Sequence, residues 1–409
     1  MCRLRAVCRS WLAFTSDPHF VAAHAARHPG PLLAVGVQGF PRLCVDLVDL
    51  SGNVVKQILR VGKGMVVGGI SGDRAFLAGE DHSVRVLDPT TGSISCLPHH
   101  RSNSADPSMT CVWFAFGQTA STGEYKLVRI MLNINDSRQV AEVITISDMN
   151  AQWRKIANPP GSLDWGCNNG VVFKGAAYFI VDYCFSDPSV VERGRMPSFD
   201  LATEQWSVTL KGPANRILEE SNGTLTYHDL ANQLMLAGLK GTLSIAHCND
   251  QFYAVDIWFL LDAEKGTWSK GYRISVDVFY GIGDYLKVQP LLVTDEGKVV
   301  LWMQMGSKGV VQIYDPVTDT SLDIIQTSTY TGASVYTGSL LHPGSGTAKT
   351  SVLSGDVMRL KDLNMRAIYG TRNFFNLETW AWGFVSLGTC LVGRATGALY
   401  KVLRQSREL

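Results

Sequence analysis

The apolar positions of this chain fall in short runs that stop at an aspartate and restart after a polar turn. The fullest copy is VDIWFLLDAEKGTWSKGYRI, residues 255–274. Ile257-Trp258-Phe259-Leu260-Leu261 reads as one strand, Asp262 to Gly266 as a turn, and Thr267 to Ile274, with Trp268, as the returning strand. Weaker copies are LVDLSGNVVKQI around Asp49, VRVLDPTTGSISCLP around Asp88, VITISDMNAQWRKI around Asp148, PSFDLATEQWSVT around Asp200 and VQIYDPVTDTSLDI around Asp315. Taken in order, the aspartates stand 39, 60, 52, 62 and 53 residues apart.

The aspartate has a local role. Its carboxylate can accept a backbone N–H two residues on, and Pro89 or Pro316 then presets the next φ. Trp153, Trp206 and Trp268 occupy the equivalent place on the return strand, where a large aromatic can cover the adjoining sheet. Asn169-Gly170, Asn222-Gly223 and Glu296-Gly297 signal further hairpins between the copies. Each repeat then holds about four strands. Such units, repeated about six times, predict a mainly β fold, a β-propeller of about six blades over residues 32–342. A β-sandwich leaves the period unexplained. Gly68-Gly69 is kelch-like, and no Trp-Asp-terminated repeat occurs.

The flanks follow other patterns. In residues 1–28, Leu4, Val7, Cys8 and Trp11 make an i, i+3, i+4, i+7 stripe, with Arg3, Arg5 and Arg9 off it. Ser16 or Asp17 can cap a second helix that opens at Pro18, is anchored by Phe20 and Val21, and stops at Pro29-Gly30. Two such short helices must dock on something larger. From His342 to Thr347 the composition is that of a linker. Residues 343–409 leave the repeat pattern, and their structure stays open between a closing blade, a helical appendage and an extension.

Composition narrows the partners. Hydrophobic residues are 46% of the 409, charged residues 18%, and the net charge is +1, which supports a large core and argues against a broad nucleic-acid surface. No apolar run reaches a membrane-spanning length, and the arginine-rich start lacks the apolar centre of a secretory signal. The nine cysteines form no C-x-x-C pair and read as reduced core thiols of an intracellular protein. The expected location is cytoplasm, nucleus or both. On that reading, the sequons at Asn135 and Asn222 go unglycosylated.

Candidate chemistry is thin. His24 and His28 have zinc spacing but no third ligand, and His99-His100 and His247-Cys248 read as loop and strand-end residues. Ser147-Asp148 lacks the glycine of a sialidase-type turn, and Gly62-Lys63-Gly64 lacks the rest of a phosphate loop. No nucleophile elbow or carboxylate pair appears. The expectation is no metal, no cofactor and no catalysis. Asp88, Asp148, Asp200, Asp262 and Asp315, with Trp153, Trp206 and Trp268, are assigned structural roles.

Two resemblances give a function. RLRAVCRSWLAFTSDPHF (3–20) is similar to the second half of a plant F-box, matching at Arg3, Arg5, Val7, Cys8, Trp11, Asp17, Pro18 and Phe20. The Leu-Pro dipeptide and helix that open an F-box have no counterpart, so the expected F-box is truncated. EYKLVRI, WRKI, GVVFKGAAYFI, SFDLATEQW, the 255–274 hairpin and TYTGASVYTGSLL resemble, in that order, the F-box-associated domain of plant F-box proteins. The resemblance implies the substrate receptor of an SCF-type (Skp, cullin, F-box) ubiquitin ligase. Leu4, Val7, Cys8, Trp11 and Phe20 would meet the Skp-type adaptor, and the propeller would hold an unknown target protein. Two alternatives remain: an interaction propeller without a working F-box, and a propeller enzyme.

Overall fold

The computed structural model describes the chain from 8 to 338, except residues 18, 21–22, 24–29, 40–41, 63–64, 80–82, 99–108, 134, 147–150, 165–169, 183–193, 231–232, 250–253, 277–285, 306–307 and 328–331. The apolar run before each described repeat aspartate becomes a strand, and the strands group into six four-stranded antiparallel sheets. Blade 1 contributes β1 (Leu32–Gly39), β2 (Arg42–Val48) and β3 (Val54–Gly62). Blade 2 is β4 (Met65–Ser71), β5 (Arg74–Gly79), β6 (Val84–Leu87) and β7 (Ile94–Cys96). Blade 3 is β8 (Met109–Gln118), β9 (Tyr125–Asn133), β10 (Gln139–Thr145) and β11 (Arg154–Lys155). Blade 4 is β12 (Val171–Phe173), β13 (Ala176–Tyr178), β14 (Arg195–Asp200) and β15 (Gln205–Lys211). Blade 5 is β16 (Leu234–Leu239), β17 (Thr242–Asn249), β18 (Ala254–Asp262) and β19 (Thr267–Ser275). Blade 6 is β20 (Leu286–Val293), β21 (Val299–Met305), β22 (Lys308–Asp315) and β23 (Thr320–Thr327).

The fourth strand of blade 1 arrives last. β24 (Ala333–Tyr336) pairs antiparallel with β1, Leu32 opposite Tyr336 and Val35 opposite Ala333. The first and last described strands thus share one sheet, which closes the ring. The innermost strands β24, β4, β8, β12, β16 and β20 each pack on the next around it.

Two-sided burial explains the continuous apolar runs. Successive side chains of a strand point to opposite faces, and each face of a blade meets a different neighbour. In β18, Ile257 enters the core between blades 5 and 6, while Trp258 enters the core between blades 4 and 5. Phe76 and Leu77 of β5 divide in the same way between the two neighbours of blade 2. The described buried residues form six clusters, one at each blade junction.

The repeated aspartate sits where its local chemistry requires, at the turn between the third and fourth strand of each blade. Asp49 Oδ1 accepts the N–H of Ser51 at 2.9 Å, Asp88 that of Thr90 at 2.8 Å, and Asp200 that of Ala202 at 2.9 Å. Asp262 accepts from Glu264 at 3.0 Å, and Asp315 from Val317 at 2.9 Å. Asp148 lies outside the described residues.

The tryptophans do more than cover a sheet, because each indole N–H reaches the backbone of the preceding blade. Trp153 donates to the Pro98 carbonyl (2.9 Å), Trp206 to Ala157 (2.7 Å) and Trp268 to Lys211 (2.7 Å). These bonds bracket blades 2 to 5. Gly266, at φ +62, lies against the same Lys211, and a Cβ there would come within 2.7 Å of the lysine Cβ. Other junctions use other contacts. Lys56 donates to the Pro89 and Thr90 carbonyls at 2.8 and 2.6 Å, and the Tyr336 and Thr90 hydroxyls meet at 3.0 Å.

Several expectations are corrected. Asn222-Gly223 is not a hairpin. It turns between two helices, α2 (Ala214–Glu220) and α3 (Tyr227–Leu230), with φ values of 50° and 80°. The reason is Ile217, Leu225 and Leu230, which bury a helical face in the core between blades 4 and 5. In the GVVFKGAAYFI stretch the described turn is Lys174-Gly175, and Asn169 lies outside the described residues. Glu296-Gly297 is a hairpin turn as expected, closed by the Thr294 N–H to the Lys298 carbonyl at 2.8 Å. Gly68 stands at a bulge where a Cβ would lie 2.1 Å from the Phe76 ring, so the doublet serves close packing. Of the four described free cysteines only Cys248 is buried, and Cys8 and Cys96 are exposed. The core reading fails for Cys96 because it ends an outermost strand. Residues 339–409 lie outside the described residues.

Replacing Trp268 tests the bracket. Trp268→Phe should cost about 1 kcal/mol for the lost hydrogen bond, and Trp268→Ala about 3–5 kcal/mol for the added cavity. Denaturation midpoints measured beside an exposed control, Thr267→Ala, give the comparison.

Candidate protein-interaction surfaces

Strand direction sorts the connections onto two faces. Within a blade the first-to-second and third-to-fourth turns share one face. The second-to-third connections and those between blades share the other. On the first, the turn face, every connection is short, as in residues 72–73, 174–175, 201–204 and 263–266. On the second, the loop face, the longest stretches between described strands are residues 97–108, 156–170, 179–194, 212–233 and 276–285, of which 99–108, 165–169, 183–193, 231–232 and 277–285 lie outside the described residues. The tryptophan brackets tie blades 2 to 5 to one another, and these are the blades from which the long connections leave.

An ion cluster on the turn side adds to this tie. Glu204, at φ +57 in the Asp200 turn, takes both oxygens to Arg154 of blade 3 at 2.7 and 2.6 Å. It also accepts from Lys126 at 2.8 Å. The Arg154 bonds hold the Glu204 carboxyl below its usual range and push the guanidinium up. The pairing joins residues fifty apart in sequence, so no local pattern signals it.

The helical connection is the largest feature described on the loop face. Arg216 of α2 donates to the Trp268 carbonyl at 2.8 Å, and Glu220 pairs with Lys270 at 3.0 Å, which fixes the helix on blade 5. The Tyr227 hydroxyl donates to Asn215 Oδ1 and ties α3 to α2. Lys270 also pairs with Asp256 at 3.1 Å and lies 5.0 Å from the centre of the Trp258 ring. His247 stands opposite Asp256 in the strand register and meets Gln233 Oε1 at 3.2 Å. It is a buried residue near the end of β17, 2% exposed, as the strand-end reading expects. His24, His28, His99 and His100 lie outside the described residues. Among the described residues, no three His, Cys, Asp or Glu side chains gather as a metal site would require. No helix among them is long and apolar enough to cross a membrane.

The N-terminal candidates separate. Leu4 and Val7 lie outside the described residues. α1 runs Arg9–Ser16, and Cys8 precedes it in extended conformation, φ −161 and ψ 169, without a side-chain cap bond. Cys8 is therefore not on the helical stripe expected of it, in keeping with the low helix propensity of the Val7-Cys8 pair. Trp11 is on α1 and 43% exposed. Phe14, which the stripe reading missed, is 56% exposed, 6.3 Å from the Trp11 ring and 4.6 Å from that of Phe20. Trp11 and Phe14 at i, i+3 carried the signal. Asp17 rather than Ser16 caps the following turn, its Oδ1 accepting the His19 N–H at 2.8 Å. The sequence thus supplies three neighbouring aromatic rings, two of them facing solvent.

Comparison with known proteins adds the family. A family model described as the F-box associated beta propeller domain matches residues 50–331. No curated protein sequence matches the chain. Among solved structures, a protein from Lactobacillus plantarum is 8% identical, with 73% of this chain and 82% of that one covered and a TM-score of 0.40. The dihydro-heme d1 dehydrogenase NirN in complex with DHE is 10% identical, with 75% of each chain covered and a TM-score of 0.36. The exo-beta-1,3-galactanase 1,3Gal43A from Clostridium thermocellum is 14% identical, covering 74% of this chain and 68% of its own, at a TM-score of 0.36. These distant likenesses carry no functional argument.

His247 gives this surface a pH signature. Burial pushes its imidazole down from 6.5 to about 4, although Asp256 pulls the other way. The unfolded chain takes up that proton near 6.5, so between the two values it binds more protons than the folded chain and stability rises with pH. As pH falls through this window, His247 should remove about 3 kcal/mol of stability, and His247→Gln should flatten that part of the slope. Denaturant titrations at stepped pH measure it.

Proposed function

The chain belongs to the F-box-associated β-propeller family, and on that premise we propose that it is the substrate-recognition subunit of an SCF-type ubiquitin ligase. The single observation that carries the proposal is the family match over residues 50–331, standing behind the F-box-like run of residues 3–20. The chain does no chemistry itself. It holds a target protein against the loop face while the N-terminal segment docks on a Skp-type adaptor and, through it, on the cullin. Binding raises the effective concentration of target lysines near the ubiquitin-charged enzyme.

The geometry supports this division. Long connections on a bracketed scaffold are the arrangement that recognition surfaces use, because variable loops then cost the core nothing. At the other end, exposed Trp11 and Phe14 are the aromatic anchors that interfaces favour. The work of the subunit lies in cytoplasm or nucleus, where adaptor and cullin are met.

Co-purification tests it. The full chain should capture a Skp-type adaptor, and Trp11→Ala with Phe14→Ala should weaken that capture about tenfold or more, as loss of two interface anchors does. Binding only after an upstream F-box helix is restored would assign this chain to an adaptor-free interaction propeller.

A further inference from the structure

We propose that the outer edge of blade 6, at Thr320–Asp323 of β23, is a docking site for an extended segment of a partner protein in which apolar residues alternate with Lys or Arg. The inference does not rest on the ligase reading and concerns a different part of the ring from the loop face.

An outermost strand leaves a row of backbone N–H and carbonyl groups without a strand partner, and proteins commonly guard such edges with lysine, proline or shortness. Five of the six outer strands here are guarded. β3 carries Lys56, β15 carries Lys211, and β19 carries Lys270 and Arg273. β7 has three residues, and β11 is only Arg154-Lys155. β23, TSLDIIQT, has eight residues with no lysine, arginine or proline. Among the described residues it pairs with β22 on one side alone. At Ile324 the neighbouring blade comes close, and a Cβ on Gly52 would lie 3.1 Å from the Ile324 carbonyl oxygen. Thr320, Ser321, Leu322 and Asp323 are all exposed, Leu322 by 68%. Val317, in the turn that leads into the strand, is 87% exposed.

Charge selects the occupant. Asp323 accepts from Gln312 at 2.9 Å and from Gln326 at 3.2 Å, and Asp319 accepts from the Tyr314 hydroxyl at 2.9 Å. None of these donors is a cation; Lys298 pairs with Asp315 at 3.2 Å, opposite Thr320, which leaves Asp319 and Asp323 as the negative groups beside the apolar residues. A second copy pairing through the same edge would bring like charges together, which destabilises a strand pair. An added strand with basic residues toward Asp319 and Asp323 and apolar residues toward Leu322 meets both requirements, while its backbone supplies the hydrogen bonds.

The probe is a capped, fluorescein-labelled peptide alternating valine and lysine, titrated into the full chain by anisotropy, with a valine–glutamate peptide as control. The valine–lysine peptide should bind, more weakly as salt rises, and should slow amide exchange at residues 320–323. Leu322→Lys, at an exposed position, should weaken binding about tenfold, as an edge lysine does. Asp323→Asn should remove much of the salt dependence. Equal binding to Leu322→Lys, or equal binding of the glutamate peptide, overturns the proposal. So does a wild-type dimer that Leu322→Lys returns to monomer, because the occupant is then a second copy.

Discussion

Closure of the ring is the constraint on which the rest depends. Each blade is apolar on both faces, as Ile257 and Trp258 show by entering different cores, so a blade without two neighbours would expose one of them. Only a closed circle satisfies all six. The pairing of β24 with β1 closes it, and it brings together segments some three hundred residues apart, a loop closure whose entropy the packed junctions must offset. The family match at residues 50–331 leaves out both β1 and β24, although the fold needs both.

Once the ring is closed, its two faces have different duties. The turn face is held by aspartates bonding their own backbone and, between blades 3 and 4, by Glu204 clasped from the neighbouring blade. Indole bonds to the preceding blade fix the spacing of blades 2 to 5. Rigidity there allows the long connections of the loop face to vary without loss of the core. The α2–α3 insertion shows how such a connection is anchored, through Ile217 and Leu230 beneath it and Lys270 beside it.

Much of this was legible in the sequence, for identifiable reasons. Asp49, Asp88, Asp200, Asp262 and Asp315 act through atoms two residues away, so a local reading places them correctly. Trp153, Trp206 and Trp268 were found by their repeat position, but their hydrogen bonds run to residues about fifty away and could not be read from any window. The same holds for Glu204 with Arg154. Asn222-Gly223 misled because the same dipeptide suits a hairpin and an interhelical turn, and only the core beneath Leu225 decides between them. The N-terminal stripe failed at Cys8 because periodicity does not say where a helix begins.

We propose that the chain works at two sites, an adaptor site at residues 8–20 and a target site on the loop face. Amide hydrogen exchange of the full chain, with and without a bound Skp-type adaptor, is the decisive measurement. Adaptor binding should slow exchange across α1 and the turn capped by Asp17 and leave the six blades unchanged. Slowed exchange on the blades, with residues 8–20 unaffected, would contradict it.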